Sequence, residues 1–69
     1  MKISARNKFK GKVTGIQEGA VNGIVTIDIG GGNIATATIS MNAIKELGLA
    51  VGKEAYAIIK ATSIMVGVD

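Results

Sequence analysis

The sequence predicts an all-β fold of five strands with one short helix between the third and fourth. Three observations carry that expectation. Most of the chain alternates apolar and polar residues with period two, glycine clusters punctuate the runs, and one short segment has helical spacing. From Ile3 to about Glu18, Phe9, Gly11, Val13 and Gly15 fall on one face, while Lys8, Lys10, Lys12 and Thr14 fall on the other. This reads as a long strand with one buried face. Gly11 and Gly15 inside it predict a bend or bulge.

Gly19 marks a turn. A second strand runs from about Val21 to Ile29, with Val21, Gly23, Val25, Ile27 and Ile29 on one side. Gly30-Gly31-Gly32-Asn33 is a tight connection. Glycine-rich loops that cradle phosphate usually lead from a strand into a helix. Here the loop joins two strand-like runs, so a hairpin is the better reading. Ile34 to Ile39 is the third strand. Met41 to Leu47 is the helix, with Ile44 and Leu47 on one face, Ser40 or Asn42 as N-cap and Gly48 as the stop. Glu54 to Lys60 is the fourth strand and Ile64 to Val68 the fifth, with Ala61-Thr62-Ser63 as the bend between them. This element order is that of an OB-like five-stranded barrel. An open sheet packed on one helix is the alternative.

At 69 residues the chain is one small domain. A domain of this size buries only about 60% of its unfolded surface and usually needs a staple. Cysteine and histidine are absent, which removes disulfides and argues against zinc, iron or copper sites. Oligomerisation is the remaining staple. Hydrophobic residues form 48% of the chain, yet it has one Phe, one Tyr and no Trp, a composition suited to thin strands and subunit contacts. The start turns polar at once, so no signal peptide is read. No apolar run reaches membrane-span length. The expected location is the cytoplasm, and Met1 and Asp69 read as the ends of a complete protein.

Catalysis is a poor expectation. Without His or Cys the commonest general base and strongest nucleophile are missing. Glu18, Asp28, Glu46, Glu54 and Asp69 are scattered rather than paired. The net charge of +3 is concentrated instead: Lys2, Arg6, Lys8, Lys10 and Lys12 fall in the first twelve residues with no acid among them. Such a strand is either a solvated face or the face of an anion partner. A tetrahedral dianion needs donors: amides, hydroxyls and one or two cations. Three segments offer them. Ser4 and Arg6 lie two apart, on one strand face. Ser40 precedes the helix and its free amides. Lys60-Ala61-Thr62-Ser63 supplies an ammonium and hydroxyls at a strand end. Each segment also has a structural reading, as edge decoration, as a cap, or as a solvated lysine.

These segments carry a resemblance. Ile3-Ser4-Ala5-Arg6-Asn7, Phe9 to Val13, Leu47-Gly48-Leu49 with Gly52-Lys53-Glu54, and Ile59-Lys60-Ala61-Thr62-Ser63 make the chain resemble the molbindins. These molybdenum-pterin-binding proteins, of the Mop/TOBE-domain family, are related to molybdate-binding domains of transport ATPases and molybdate-responsive regulators. The resemblance spans essentially the whole chain, as a single domain over residues 1–69. It implies an OB-like barrel and binding of molybdate, and usually tungstate, for storage or homeostasis. No catalytic step and no organic cofactor are implied. It also implies a homo-oligomer, a hexamer built as a trimer of dimers, with oxyanions held between subunits. By position, Ser4, Arg6 and the Ala5 backbone become oxyanion contacts. Ser40 and the backbone at Ala43 follow, then Lys60 and Ala61. Some relatives carry a hydroxyl where this chain has Ala43. Its loss removes a hydrogen bond worth about 1 kcal/mol. Ala20, Val21 and Asn22 are the candidates for a second oxyanion site at a symmetry axis.

Two rival functions remain at this stage. A nucleic-acid-binding OB domain would stack bases on aromatic platforms, for which one Phe and one Tyr are thin provision. A purely structural oligomerisation module is the other. No nucleic-acid or membrane partner is expected.

Overall fold

Backbone pairing realises the alternating runs as four antiparallel strands. A computed structural model of the chain describes all 69 residues. Strands β1 (Asn7–Gln17), β2 (Asn22–Gly30) and β3 (Asn33–Ser40) are followed by helix α1 (Met41–Glu46) and strand β4 (Glu54–Ile59). A single 3-10 turn at Ala61–Ser63 comes next. The sheet order is β3-β2-β1-β4. Its edges, β3 and β4, do not pair with each other, so the sheet is a half-barrel.

Period two decides which side chains enter the core. Val25 and Ile27 of β2 are buried together with Gly23, while Asn22, Ile24 and Asp28 face out. On β1 the phase changes once. Val13 pairs with Ile27 but Gly15 pairs with Thr26, so Thr14 is an extra residue, a β-bulge. The Thr14 and Thr26 hydroxyl oxygens lie 3.0 Å apart across it. Beyond the bulge Ile16 packs on the core, paired with Val25. Gly15, expected to share a face with Val13, is therefore out of phase with it.

The glycine loop is a two-residue hairpin. Gly30 pairs with Asn33, and both central glycines have positive φ, +63° at Gly31 and +80° at Gly32. That combination suits the right-handed strand twist, and side chains rarely adopt it. Asp28 Oδ1 accepts from the Gly30 amide at 2.9 Å.

Helix α1 starts where Ser40 Oγ accepts from the Ala43 amide at 3.0 Å. It stops at Gly48, whose φ is +62°. The Gly48 amide donates to the Lys45 carbonyl and the Leu49 amide to the Ile44 carbonyl, the pairing of a Schellman motif. Lys53 Nζ donates to the Gly48 carbonyl at 2.8 Å and braces the turn. Ile44 is buried against the sheet. It can sit there because position 23 has no side chain: a Cβ on Gly23 would lie 2.6 Å from Ile44 Cδ1 and 2.9 Å from Met41 Sδ. Gly23→Ala is expected to overpack this contact and cost about 1–3 kcal/mol, measured as a lowered thermal midpoint.

Several sequence expectations need correction. The first strand starts at Asn7, not Ile3, and Val21 stays outside β2 and exposed. Leu47 does not share the core face with Ile44; it is 67% exposed, because the chain reverses at Gly48 before another helical turn can cover it. The five-stranded barrel is not closed within one chain. Residues 64–69 form no strand, and Met65, Val66 and Val68 are each more than 90% exposed. A strand needs a partner edge, and the 3-10 turn carries this segment off the end of β4. The open mouth of the half-barrel is an apolar trough between β3 and β4, lined by residues including Val25, Ile27, Ile39, Leu49, Ala57 and Ile59.

Candidate oxyanion site

The β1–β4 ladder explains why two distant motifs meet. Its pairs run from Lys12 with Glu54 to Asn7 with Ile59. Continued outward in the same antiparallel register, the next rungs set Arg6 opposite Lys60, Ala5 opposite Ala61 and Ser4 opposite Thr62. Pairing stops where these rungs begin. The backbone bends at Ser4 and Arg6 and enters the 3-10 turn at Ala61, so the strand ends part into an open cleft. Ile3, Ser4, Ala5 and Arg6 line one side; Ile58, Lys60, Ala61 and Thr62 line the other. Neither Arg6 nor Lys60 has a carboxylate partner, since the one ion pair of the chain joins Lys10 to Glu54 at 3.5 Å. The cleft thus presents two uncompensated cations and two hydroxyls.

Ser40 and Ala43 lie elsewhere. Ser40 pairs with Asn22 at the start of β2, which adjoins the far end of β1, where Gln17 pairs with Ile24. Along β1 that end is roughly 35 Å from the Arg6 end, at about 3.4 Å per residue. Within one chain the three expected segments therefore do not form one pocket. Ser4, Ala5, Arg6, Lys60 and Ala61 come together, while Ser40 and Ala43 sit beside the Ala20-Val21-Asn22 turn. The Met41 amide there donates to the Val21 carbonyl at 2.8 Å, so that donor is already used. Ser4, Arg6, Lys60, Ala61 and Ser40 are all exposed in the single chain, although Lys60 is expected to close a mostly apolar strand.

Thr62, one of the hydroxyls of the Lys60–Ser63 segment, lines the cleft, although the resemblance assigns it no contact. The signal was available: positions 4 and 62 have the same index sum as every β1–β4 pair. The aromatics, by contrast, build no stacking platform. Phe9 pairs with Ala57 on one face of the ribbon and Tyr56 with Lys10 on the other. No group of three His, Cys, Asp or Glu residues is placed to hold a metal cation, and no helix is long and apolar enough to cross a membrane.

Comparison with known proteins fits this donor-lined cleft. The model of the TOBE domain matches residues 3–66. The "Probable molybdenum-pterin-binding protein" of Haemophilus influenzae is 70% identical over 69 residues, spanning 100% of both chains. The chain belongs to the TOBE-domain molybdenum-pterin-binding proteins. Solved molbindin structures agree with the fold. MopII of Clostridium pasteurianum superposes with a TM-score of 0.91 at 43% identity, covering 97% of this chain and 100% of that one. The cytoplasmic molybdate-binding protein ModG, solved with molybdate bound, superposes with a TM-score of 0.94 at 42% identity. It covers 100% of this chain, which spans 49% of ModG. The molbindin family consists of binding proteins, not catalysts.

Proposed function

We propose that this chain binds molybdate, and tungstate alongside it, for storage or homeostasis in the cytoplasm, as a single domain over residues 1–69. The observation that carries the reading is the splayed end of the β1–β4 ladder. Arg6 and Lys60 line that cleft without a carboxylate partner, together with Ser4 and Thr62. A dianion between the two cations would relieve their repulsion and use the adjoining donors, including the Ala5 and Ala61 backbone. The bound-molybdate relative supports the ligand, and its description as cytoplasmic supports the location.

Assembly is part of the proposal. A folded monomer of 7.0 kDa is expected to expose about 4,000 Å². This chain exposes 5377 Å², an excess of about 1,300 Å², more than the roughly 800 Å² that one partner covers in an ordinary interface. Its 31 backbone–backbone hydrogen bonds fall below the roughly 45 expected of 69 residues. Both deficits point to the same places: the trough, the two free edges and the apolar 64–68 segment. In the proposed hexamer, a trimer of dimers, this segment serves as the fifth strand on another copy, and neighbouring copies close the barrels. The Arg6–Lys60 cleft of one subunit then meets Ser40 and the Ala43 amide of another. Ala20, Val21 and Asn22 are proposed as a second oxyanion site where turns from several subunits converge.

Ser40 allows the cap and the ligand to be separated. Ser40→Ala is expected to cost about 0.5–2 kcal/mol of stability. Ser40→Asp keeps a good cap and should restore stability, yet its carboxylate should repel the dianion. Molybdate binding recovered together with stability would exclude Ser40 from the site. Calorimetry tests the ligand class. Molybdate and tungstate should bind, with phosphate much weaker, because phosphate keeps a proton near neutral pH and cations and amides offer it no acceptor. Equal affinity for all three would contradict the selectivity.

A further inference from the structure

The outer face of the β1–β4 ribbon carries a row of cations that the cleft does not use. Lys8, Lys10 and Lys12 alternate along β1 and are exposed. Their cross-strand partners are Ile58, Tyr56 and Glu54. On its other side Lys12 also pairs with Asp28 of β2, so two carboxylates share the face with three ammonium groups. Glu54 pairs with Lys10, and the uncompensated charge is Lys8, at the cleft end of the row. Lysines often guard a sheet edge against aggregation, but β1 is an interior strand, with β2 on one side and β4 on the other. Edge protection does not explain the row.

Its direction does. The row runs along β1 toward the Asn7–Ile59 end of the ladder, just beyond which Arg6 and Lys60 line the cleft. At about 3.4 Å per residue, Lys8, Lys10 and Lys12 stand roughly 7, 14 and 20 Å along the strand from Arg6. We propose that this row steers the oxyanion dianion into the Arg6–Lys60 cleft, raising the rate of capture without touching the bound anion. The inference rests on the oxyanion reading of the cleft. A graded series of like charges ending at the site gives an incoming dianion a falling potential along the face. Each member acts over its own distance, so salt removes them in order. The screening length is about 30 Å at 0.01 M and about 8 Å at 0.15 M.

Reversing one charge at 7 Å should slow capture of a dianion about twentyfold at 0.01 M salt and about fivefold at 0.15 M. The same reversal at 20 Å should slow it about twofold at 0.01 M and hardly at all at 0.15 M. The test is stopped-flow mixing of the assembled protein with sodium molybdate at both salt concentrations, for the parent, Lys8→Glu and Lys12→Glu. Dissociation is followed separately by displacement with excess tungstate. The expected result is a capture rate that falls steeply for Lys8→Glu and slightly for Lys12→Glu, with unchanged dissociation rates and unchanged oligomer size. Equal effects at the two positions, a loss that salt does not attenuate, or a loss carried by faster dissociation would overturn the proposal. Failure of the parent to bind molybdate would overturn the reading of the cleft beneath it, a result distinct from normal binding with insensitive capture rates.

Discussion

Replacing Lys60 or Arg6 by Ala should lower molybdate affinity by roughly tenfold to more than a hundredfold. Each side chain would contribute a charge-assisted hydrogen bond to a dianion in a place that, in the proposed assembly, a neighbouring subunit would dry. Losing one such bond costs about 1.5–3 kcal/mol. In the single chain both cations are exposed, where a lone ion pair contributes little. The large effect therefore depends on assembly, and oligomer size must be measured for each variant. Lys10→Ala is the comparison. It lies on the outer face and already pairs with Glu54, so its loss should remove only a screened, distant contribution. If all three variants lose affinity equally, or if Lys60→Ala binds normally while assembled, the cleft is not the site.

The second large effect concerns the 64–68 segment. Val66→Asp with Val68→Asp should dissociate the oligomer and abolish molybdate binding with it. The two positions are 93% and 96% exposed in the single chain, where surface substitutions usually change stability by less than about 0.5 kcal/mol. Buried as a fifth strand in another copy, each charge would be left unpaired in an apolar trough, at several kcal/mol. Light scattering across a concentration series reads the difference. An oligomer of unchanged mass would show that the segment lies outside the interfaces.

Much of this fold was legible because local physics decides it. The β2 alternation placed Val25 and Ile27 inward, Gly31-Gly32 gave the hairpin, and Ser40 and Gly48 bounded the helix, all from short-range chemistry. The phase change at Thr14 was only half legible. Gly11 and Gly15 signalled a bulge, but which residue becomes extra depends on the facing Thr26 and Ile27. Leu47 misled because helical spacing assigns it to the face of Ile44, and only the reversal at Gly48 exposes it. The Ile64–Val68 run shows the deeper limit: its apolar pattern suggests a strand, but a strand forms only where an edge is available to pair it, and within the chain this segment has none. The same limit applies to the site. Ser4, Arg6 and Lys60 were recognisable as donors, and the register brings them together. Ser40 and the Ala43 amide are grouped with them by donor chemistry and by resemblance, and they lie at the other end of the sheet.

That separation makes one measurement decisive. Native mass spectrometry of the full chain, with and without sodium molybdate, reports subunit number and bound anion in the same spectrum. A site shared between the Arg6–Lys60 cleft of one copy and the Ser40 helix start of another predicts a hexamer that gains discrete molybdate masses, with no anion on the monomer peak. A monomer that retains molybdate, or a hexamer whose mass does not change when molybdate is added, would contradict it.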